Sequence, residues 1–305
     1  MQTGRAVIET RHLTKAFPGV VAVDDLDLTI RAGEIFGFLG PNGAGKSTTI
    51  RMLLDLARPT SGRVEVFGLD PRVAAAAILR RVGYVPSEPA FSDQLTGRRF
   101  LREADALRGL DSSATREVMA ERLDAELDRR IRELSTGNRQ KIALLHALAH
   151  EPELIVLDEP TRGLDPLVQH TFHEMLREAA RHGATVFLSS HSLAEVDRVA
   201  DRVGVIREGR LVAVDTLAGL KERATTTIDL ELASAPDVDR FRRLDGVRGA
   251  EADGTHLRVV VQGSVDALLR AALDDTEIHA VRSAAADLED VFLDFYRAED
   301  VEVEP

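Results

Sequence analysis

The sequence predicts an α/β fold that carries an antiparallel β subdomain and a helical insertion, followed by a small α+β domain. Three observations lead there. A glycine-rich stretch, Gly40-Pro41-Asn42-Gly43-Ala44-Gly45-Lys46-Ser47-Thr48, stands between a short apolar run at 34–39 and a helical pattern at 49–54. A second apolar run, Leu154-Ile155-Val156-Leu157, ends in two carboxylates, Asp158 and Glu159. Composition shifts near 220–225, which divides the 305 residues into a main domain (1–220, with a helical subdomain at about 90–149), an accessory domain (221–298) and an acidic tail (299–305).

The glycine-rich stretch fits G-x-x-x-x-G-K-[ST], and its strand–loop–helix setting is the one that pattern needs. Glycines let backbone N–H groups turn inward onto phosphate oxygens, and the following helix N-terminus adds partial positive charge. Asn42, Gly43, Ala44, Gly45 and Thr48 belong to this cradle. Lys46 reaches the β- and γ-phosphates, and the Ser47 hydroxyl suits Mg²⁺.

Composition bounds the rest. Net charge is −12, from 51 acidic and 39 basic residues, a poor balance for gripping a nucleic-acid backbone. Cysteine is absent, which excludes disulfides, thiolate metal sites and thiol catalysis. The first residues, Met1-Gln2-Thr3-Gly4-Arg5, lack the apolar core of a signal peptide. The longest apolar run, 73–79, is far short of the ~20 residues that span a bilayer. The expectation is a protein soluble by itself, in the cytosol where ATP is.

In chain order, 7–10, 20–23 and 26–30 alternate like antiparallel strands, with Phe17 in a turn between them. Spacing alone makes Phe17 a loop residue tucked against the sheet, although an aromatic ahead of a phosphate loop can stack on an adenine. Pro59 and Gly62 stop the helix after the loop, and strands follow at 64–67 and 82–86. Residues 96–149 show helical spacing without strand pattern. Within them Ser135 is placed to cap a helix, with uncapped N–H groups behind it. The strand at 154–157 delivers Asp158 and Glu159 to its C-terminal edge, where open α/β sheets bind ligands. Asp158 can hold Mg²⁺, and Glu159 can polarise the water that attacks a γ-phosphate. After Gly163-Leu164-Asp165-Pro166 comes a helix at 167–181. The strand at 184–190 then ends at His191, on the same edge as Glu159. Ser192 and Glu195 have capping-box spacing. A hairpin turns at Glu208-Gly209 between 203–206 and 210–214. Beyond 225, strands near 226–232, 247–251, 257–262 and 278–282, with helices near 238–244, 265–273 and 288–297, follow a split βαβ plan.

Together these motifs resemble the ATP-binding subunit of ABC transporters over about residues 5–220. The resemblance implies a P-loop NTPase core that binds ATP and Mg²⁺. Gly40 to Ser47 matches the Walker A loop, and Leu157-Asp158-Glu159-Pro160 matches Walker B with its catalytic glutamate. Gly163-Leu164-Asp165 matches the D-loop, His191 the switch histidine, and Phe17 the aromatic that stacks on adenine. The L-S-G-G-Q signature appears as Leu134-Ser135-Thr136-Gly137-Asn138, which keeps Ser135 and Gly137. The Q-loop pattern Y-x-P-Q falls on Tyr84-Val85-Pro86-Ser87 without a glutamine, leaving Ser87 or Glu88 as the candidate toward the metal or its water. Near the end of the chain, Asp287-Leu288-Glu289-Asp290-Val291-Phe292-Leu293 looks like the closing motif of ABC-2-type exporter ATPases, which include drug and antibiotic pumps.

The family implies a head-to-tail dimer, with itself or a related ATPase. Ser135, Gly137 and Asp165 of one subunit then complete the nucleotide site of the other. It further implies an integral-membrane permease as partner and a peripheral position on the cytoplasmic face of the membrane. Two alternatives are weaker. A soluble relative acting on ribosomes or nucleic acid is disfavoured by acidic charge, a single ATPase unit and missing coiled-coil or zinc elements. A GTPase switch lacks an N-K-x-D motif and leaves the signature segment unexplained.

Overall fold

The computed structural model describes residues 4–219 and 225–284. The expected helix at 288–297, the closing motif at 287–293 and the tail at 299–305 lie outside the described residues. The chain divides into two compact units, Met1–Val214 and a second that begins at Asp215.

The first unit holds two sheets. Strands β1 (Ala6–Phe17), β2 (Val20–Arg31) and β4 (Ser61–Val66) form an antiparallel sheet in the order β2-β1-β4. The second sheet comprises β3 (Ile35–Leu39), β5 (Val82–Val85), β6 (Leu154–Asp158), β7 (Thr185–Ser190), β8 (Arg202–Arg207) and β9 (Arg210–Thr216), in the order β5-β6-β7-β3-β8-β9. The pairs of β3 with β7 and β8, β5 with β6, and β6 with β7 are parallel. Every residue of β3, β6 and β7 is buried, as strands covered on both faces must be. Phe187 lies between Phe36 (ring centroids 6.1 Å apart) and Phe38 (5.3 Å), fixing β7 beside β3. That register sets Leu39 opposite Ser190 and Asp158 opposite Ser189, so three strand ends emerge side by side.

Helix α1 (Lys46–Leu53) follows β3 and α2 (Pro71–Leu79) follows β4. The insertion between β5 and β6 holds α3 (Gly97–Arg108), α4 (Ser113–Arg122), a 3₁₀ turn (Ile131–Glu133) and α5 (Thr136–Leu148). Helices α6 (Pro166–Arg181) and α7 (Leu193–Asp197) flank β7 in the chain. The first strand pair corrects the sequence reading. β2 is continuous through 20–31, and Phe17 is the last residue of β1, paired with Val20, with the turn at Pro18-Gly19. Register shifts interrupt the alternation, with His12 (φ 50°) and Asp25 (φ 53°) in left-handed backbone. The hairpin between β8 and β9 turns at Glu208 (φ 48°) and Gly209 (φ 84°), the two positive φ angles of a type I′ turn.

His173 of α6 is buried in this unit, and neither ring nitrogen has a hydrogen-bond partner. Burial, with Arg198 and Arg177 adding to it, pushes its imidazole from 6.5 down to about 4. The neutral ring therefore contributes its full stability above about pH 6.5 and loses it as pH falls toward 4. His146, also pushed to about 4 by burial, acts in the same window. The melting temperature is expected to drop between pH 7 and 5, and His173→Phe to shrink that drop. A drop of unchanged size in the variant, read by scanning fluorimetry, would contradict this.

In the second unit β10 (Thr225–Leu232), β11 (Val247–Asp253), β12 (His256–Gln262) and β13 (Ile278–Ala284) form an antiparallel sheet in the order β11-β12-β10-β13. With α8 (Val238–Arg242) and α9 (Asp266–Asp275) this is the expected β-α-β-β-α-β plan. Ile228, Leu230, Leu257 and Val259 pack with Phe241 and Leu268 of the helices. Across the sheet, Glu251, Arg258, Asp229 and Arg282 face one another in turn, an alternating charge row that disfavours a slipped register.

Candidate functional site

The site grows from the aligned ends of β3, β6 and β7. Gly40 leaves β3 with its N–H donated to Ser190 O at 3.2 Å, and Glu159 leaves β6 with its N–H donated to Ser189 O at 3.1 Å. The loop then rises on Gly43 (φ 84°) and Gly45 (φ 108°), angles that L side chains rarely adopt. Gly45 is the N-cap of α1 and offers no side-chain cap, so the first N–H groups of the helix are left for an anionic ligand.

Lys46 is buried at the base of the loop. Its Nζ donates to Gly40 O (2.7 Å) and Pro41 O (3.1 Å) and lies 3.4 Å from Glu159 Oε1. The other carboxylate oxygen, Oε2, is 2.9 Å from His191 Nδ1. Glu159 thus stands between a lysine and a histidine, on a backbone of φ 51°. Left-handed glutamate is uncommon, and such strain collects at functional sites. Asp158 is buried behind it and accepts the Ser189 hydroxyl at 2.7 Å. Tyr84 stays protonated, pushed up to about 12 by burial and by the charge of Asp158.

Of the residues the sequence points to, Asn42, Gly43, Gly45, Lys46, Ser47 and Thr48 line one cleft of about 560 Å³. Ser87, Glu159 and His191 form more of its wall, while Ala44 is buried beneath the loop. The two Q-loop candidates separate. Ser87 faces the cleft, and Glu88 is exposed, 3.4 Å from the Arg162 guanidinium. Four others are not in the cleft wall. Phe17 is exposed, with the Lys15 ammonium 4.8 Å from its ring centroid. Ser135 is exposed and accepts the Asn138 N–H at 3.2 Å, which starts α5. Asp165 accepts the N–H groups of Leu167 and Val168, both at 3.0 Å, and so caps α6. Gly137 packs on the D-loop of its own chain, where a Cβ would come within 2.6 Å of Gly163 O. The signature segment and the D-loop therefore form one surface apart from the cleft.

Several residues around the site were given no place in it from sequence, although Asn138 and Glu195 were noted for other reasons. The buried Asn138 amide donates to Glu126 O and accepts its N–H, both at 2.8 Å, clasping the segment before the signature helix. Gln140 Nε2 donates to Pro160 O at 2.8 Å and ties that helix to the residue after Glu159. The available signal was helical spacing, because Asn138 falls on the buried face with Ile142 and Leu145. Thr161, Arg162 and Glu195 also line the cleft. The expected capping box is corrected: the Ser192 hydroxyl makes no cap bond, and Ser190 Oγ stands in for the other half, accepting the Ser192 N–H (2.9 Å) and donating to Glu195 Oε2 (2.5 Å).

Comparison with known proteins gives the family. Residues 23–162 match the ABC transporter family. The chain is 37% identical over 230 residues to the bacitracin transport ATP-binding protein of Bacillus licheniformis, covering 74% of this chain and 75% of that one. It is 36% identical over 277 residues to the daunorubicin/doxorubicin resistance ATP-binding protein of Streptomyces peucetius, covering 88% and 81%. A solved ATP-binding subunit of an ABC transporter superposes with a TM-score of 0.64 at 30% identity, covering 70% of this chain and 92% of that one. The chain belongs to the ABC transporter family, as an ATP-binding subunit that hydrolyses ATP.

Proposed function

We propose that ATP hydrolysis by this subunit drives a separate integral-membrane permease that exports a drug, antibiotic or other small amphipathic substrate. The observation that carries the reading is the convergence of Lys46, Glu159 and His191 on one strand edge beneath a phosphate-binding loop. The relatives' names, bacitracin transport and daunorubicin/doxorubicin resistance, support the substrate class. Among the described residues no helix is long and apolar enough to cross a membrane, which fits a peripheral subunit on the cytoplasmic face.

In this reading the loop N–H groups and Lys46 hold the β- and γ-phosphates. Ser47 and Asp158 offer the hard oxygen donors that suit Mg²⁺, which neutralises phosphate charge when bound. Ser87, facing the cleft, would be the nearer hydroxyl to such an ion, while Glu88 is drawn off to Arg162. Glu159 polarises the attacking water, and His191 holds Glu159 and reaches the γ-phosphate. Phe17 offers its exposed face to adenine. Ser135, Gly137 and Asp165, lying outside their own cleft, meet the nucleotide of a second ATPase across a two-fold axis. Closure on ATP and release after hydrolysis then move the permease.

Affinity capture of the tagged protein from detergent-solubilised membranes is expected to recover a polytopic membrane protein in stoichiometric amount. Recovery only from the soluble fraction, with ribosomes or DNA attached, would keep the ATPase chemistry and overturn the transporter role.

A further inference from the structure

The joint between β7 and α7 carries His191 and is tied by one half-buried carboxyl, that of Glu195. Glu195 Oε2 accepts the Ser190 hydroxyl at 2.5 Å, and Ser190 Oγ in turn accepts the Ser192 N–H at 2.9 Å. This closes a loop of side chain and backbone around His191. Glu195 Oε1 is buried without a hydrogen-bond partner, in the wall of the nucleotide cleft. Burial pushes the carboxyl of Glu195 upward, against the Ser190 and Thr161 hydroxyls, and the charge of Glu159 adds to the rise. His191 itself is exposed, held in the structure by its bond to Glu159, and α7 runs for only five residues. The Ser190–Glu195 link ties the two sides of the turn together, beside the buried Leu193 and Val196 of α7.

We propose that Glu195 is a positioning residue for hydrolysis, holding the β7–α7 turn through Ser190 so that His191 meets Glu159. It rests on the reading of Glu159 and His191 as the hydrolytic pair.

Steady-state ATPase kinetics on the full chain test this with Glu195→Ala, Glu195→Gln, Ser190→Ala, His191→Ala and the Glu195→Ala/His191→Ala double variant. Glu195→Ala is expected to lower kcat about 10-fold with KM for ATP within about twofold, a loss of positioning rather than binding. Glu195→Gln, which keeps the shape and an oxygen that can accept the Ser190 hydroxyl, is expected to recover most of that loss. The double variant is expected to match His191→Ala alone, because Glu195 acts through His191. Fully additive losses, or wild-type kcat in Glu195→Ala beside a slow His191→Ala, would overturn the proposal and leave the site reading intact. Wild-type kcat in His191→Ala would overturn both. Should Glu195→Ala fail to fold, Ser190→Ala decides: lowered kcat supports the link and unchanged kcat overturns it.

Discussion

Glu159→Gln is expected to leave ATP binding intact and to slow turnover by about 10²–10⁴-fold, the range for loss of a general base. The carboxylate is placed for that task from both sides. Oε2 is 2.9 Å from His191 Nδ1, and Oε1 is 3.4 Å from Lys46 Nζ. The backbone at φ 51° aims the side chain across the end of β6, and its N–H is fixed to Ser189 O. Glutamine keeps that shape and can still hydrogen-bond His191, but a neutral amide takes no proton from water. The same change removes a negative charge beside Lys46, so nucleotide affinity is expected to stay equal or rise. Fluorescent-nucleotide titration and phosphate release measure the two effects separately. Full turnover in this variant would sink the assignment of Glu159.

Contiguous chemistry was the legible part of this chain. The loop 40–48, the strand ending in Asp158-Glu159 and the strand ending at His191 each carry their motif in a few adjacent residues. The sheet brings them together because apolar runs of this kind form parallel, doubly covered strands. What sequence left open depends on partners brought close only by folding. Asp158 meets Ser189 across 31 positions, Gln140 meets Pro160 across 20, and Asn138 meets Glu126 across 12. No local pattern carries such pairs. Helix α2 was passed over for another reason: its run of alanines has little contrast between faces, although Asp70-Pro71 is a start signal that the structure uses. Ser87 and Glu88 could not be told apart from sequence because they lie in a bend after β5, where Ser87 lines the cleft and Glu88 is exposed beside Arg162. The capping box failed because Ser190, two positions earlier at the end of β7, competes for the same N–H and carboxylate.

Lys46→Ala acts on binding itself and is expected to raise the Kd for ATP by about 10–100-fold, from the loss of about 1.5–3 kcal/mol in charge-assisted hydrogen bonds. The amine sits in a buried socket formed by the carbonyls of Gly40 and Pro41, at 2.7 and 3.1 Å, which hold it under the loop. From there it can exchange Glu159 for phosphate oxygens without moving its stem. Alanine removes the cation and leaves the Glu159 carboxylate facing the γ-phosphate uncompensated, so repulsion adds to the lost attraction. Two loop carbonyls also lose a donor, and a modest fall in melting temperature is expected alongside. Lys46→Arg separates the contributions: it keeps the charge, but its planar fork is bulkier than the ammonium the socket holds. Restored stability with binding still weakened in Lys46→Arg would assign the loss to geometry at the phosphates. Unchanged ATP affinity in a folded Lys46→Ala protein would contradict the phosphate-binding role of the loop, and with it the site built around Glu159.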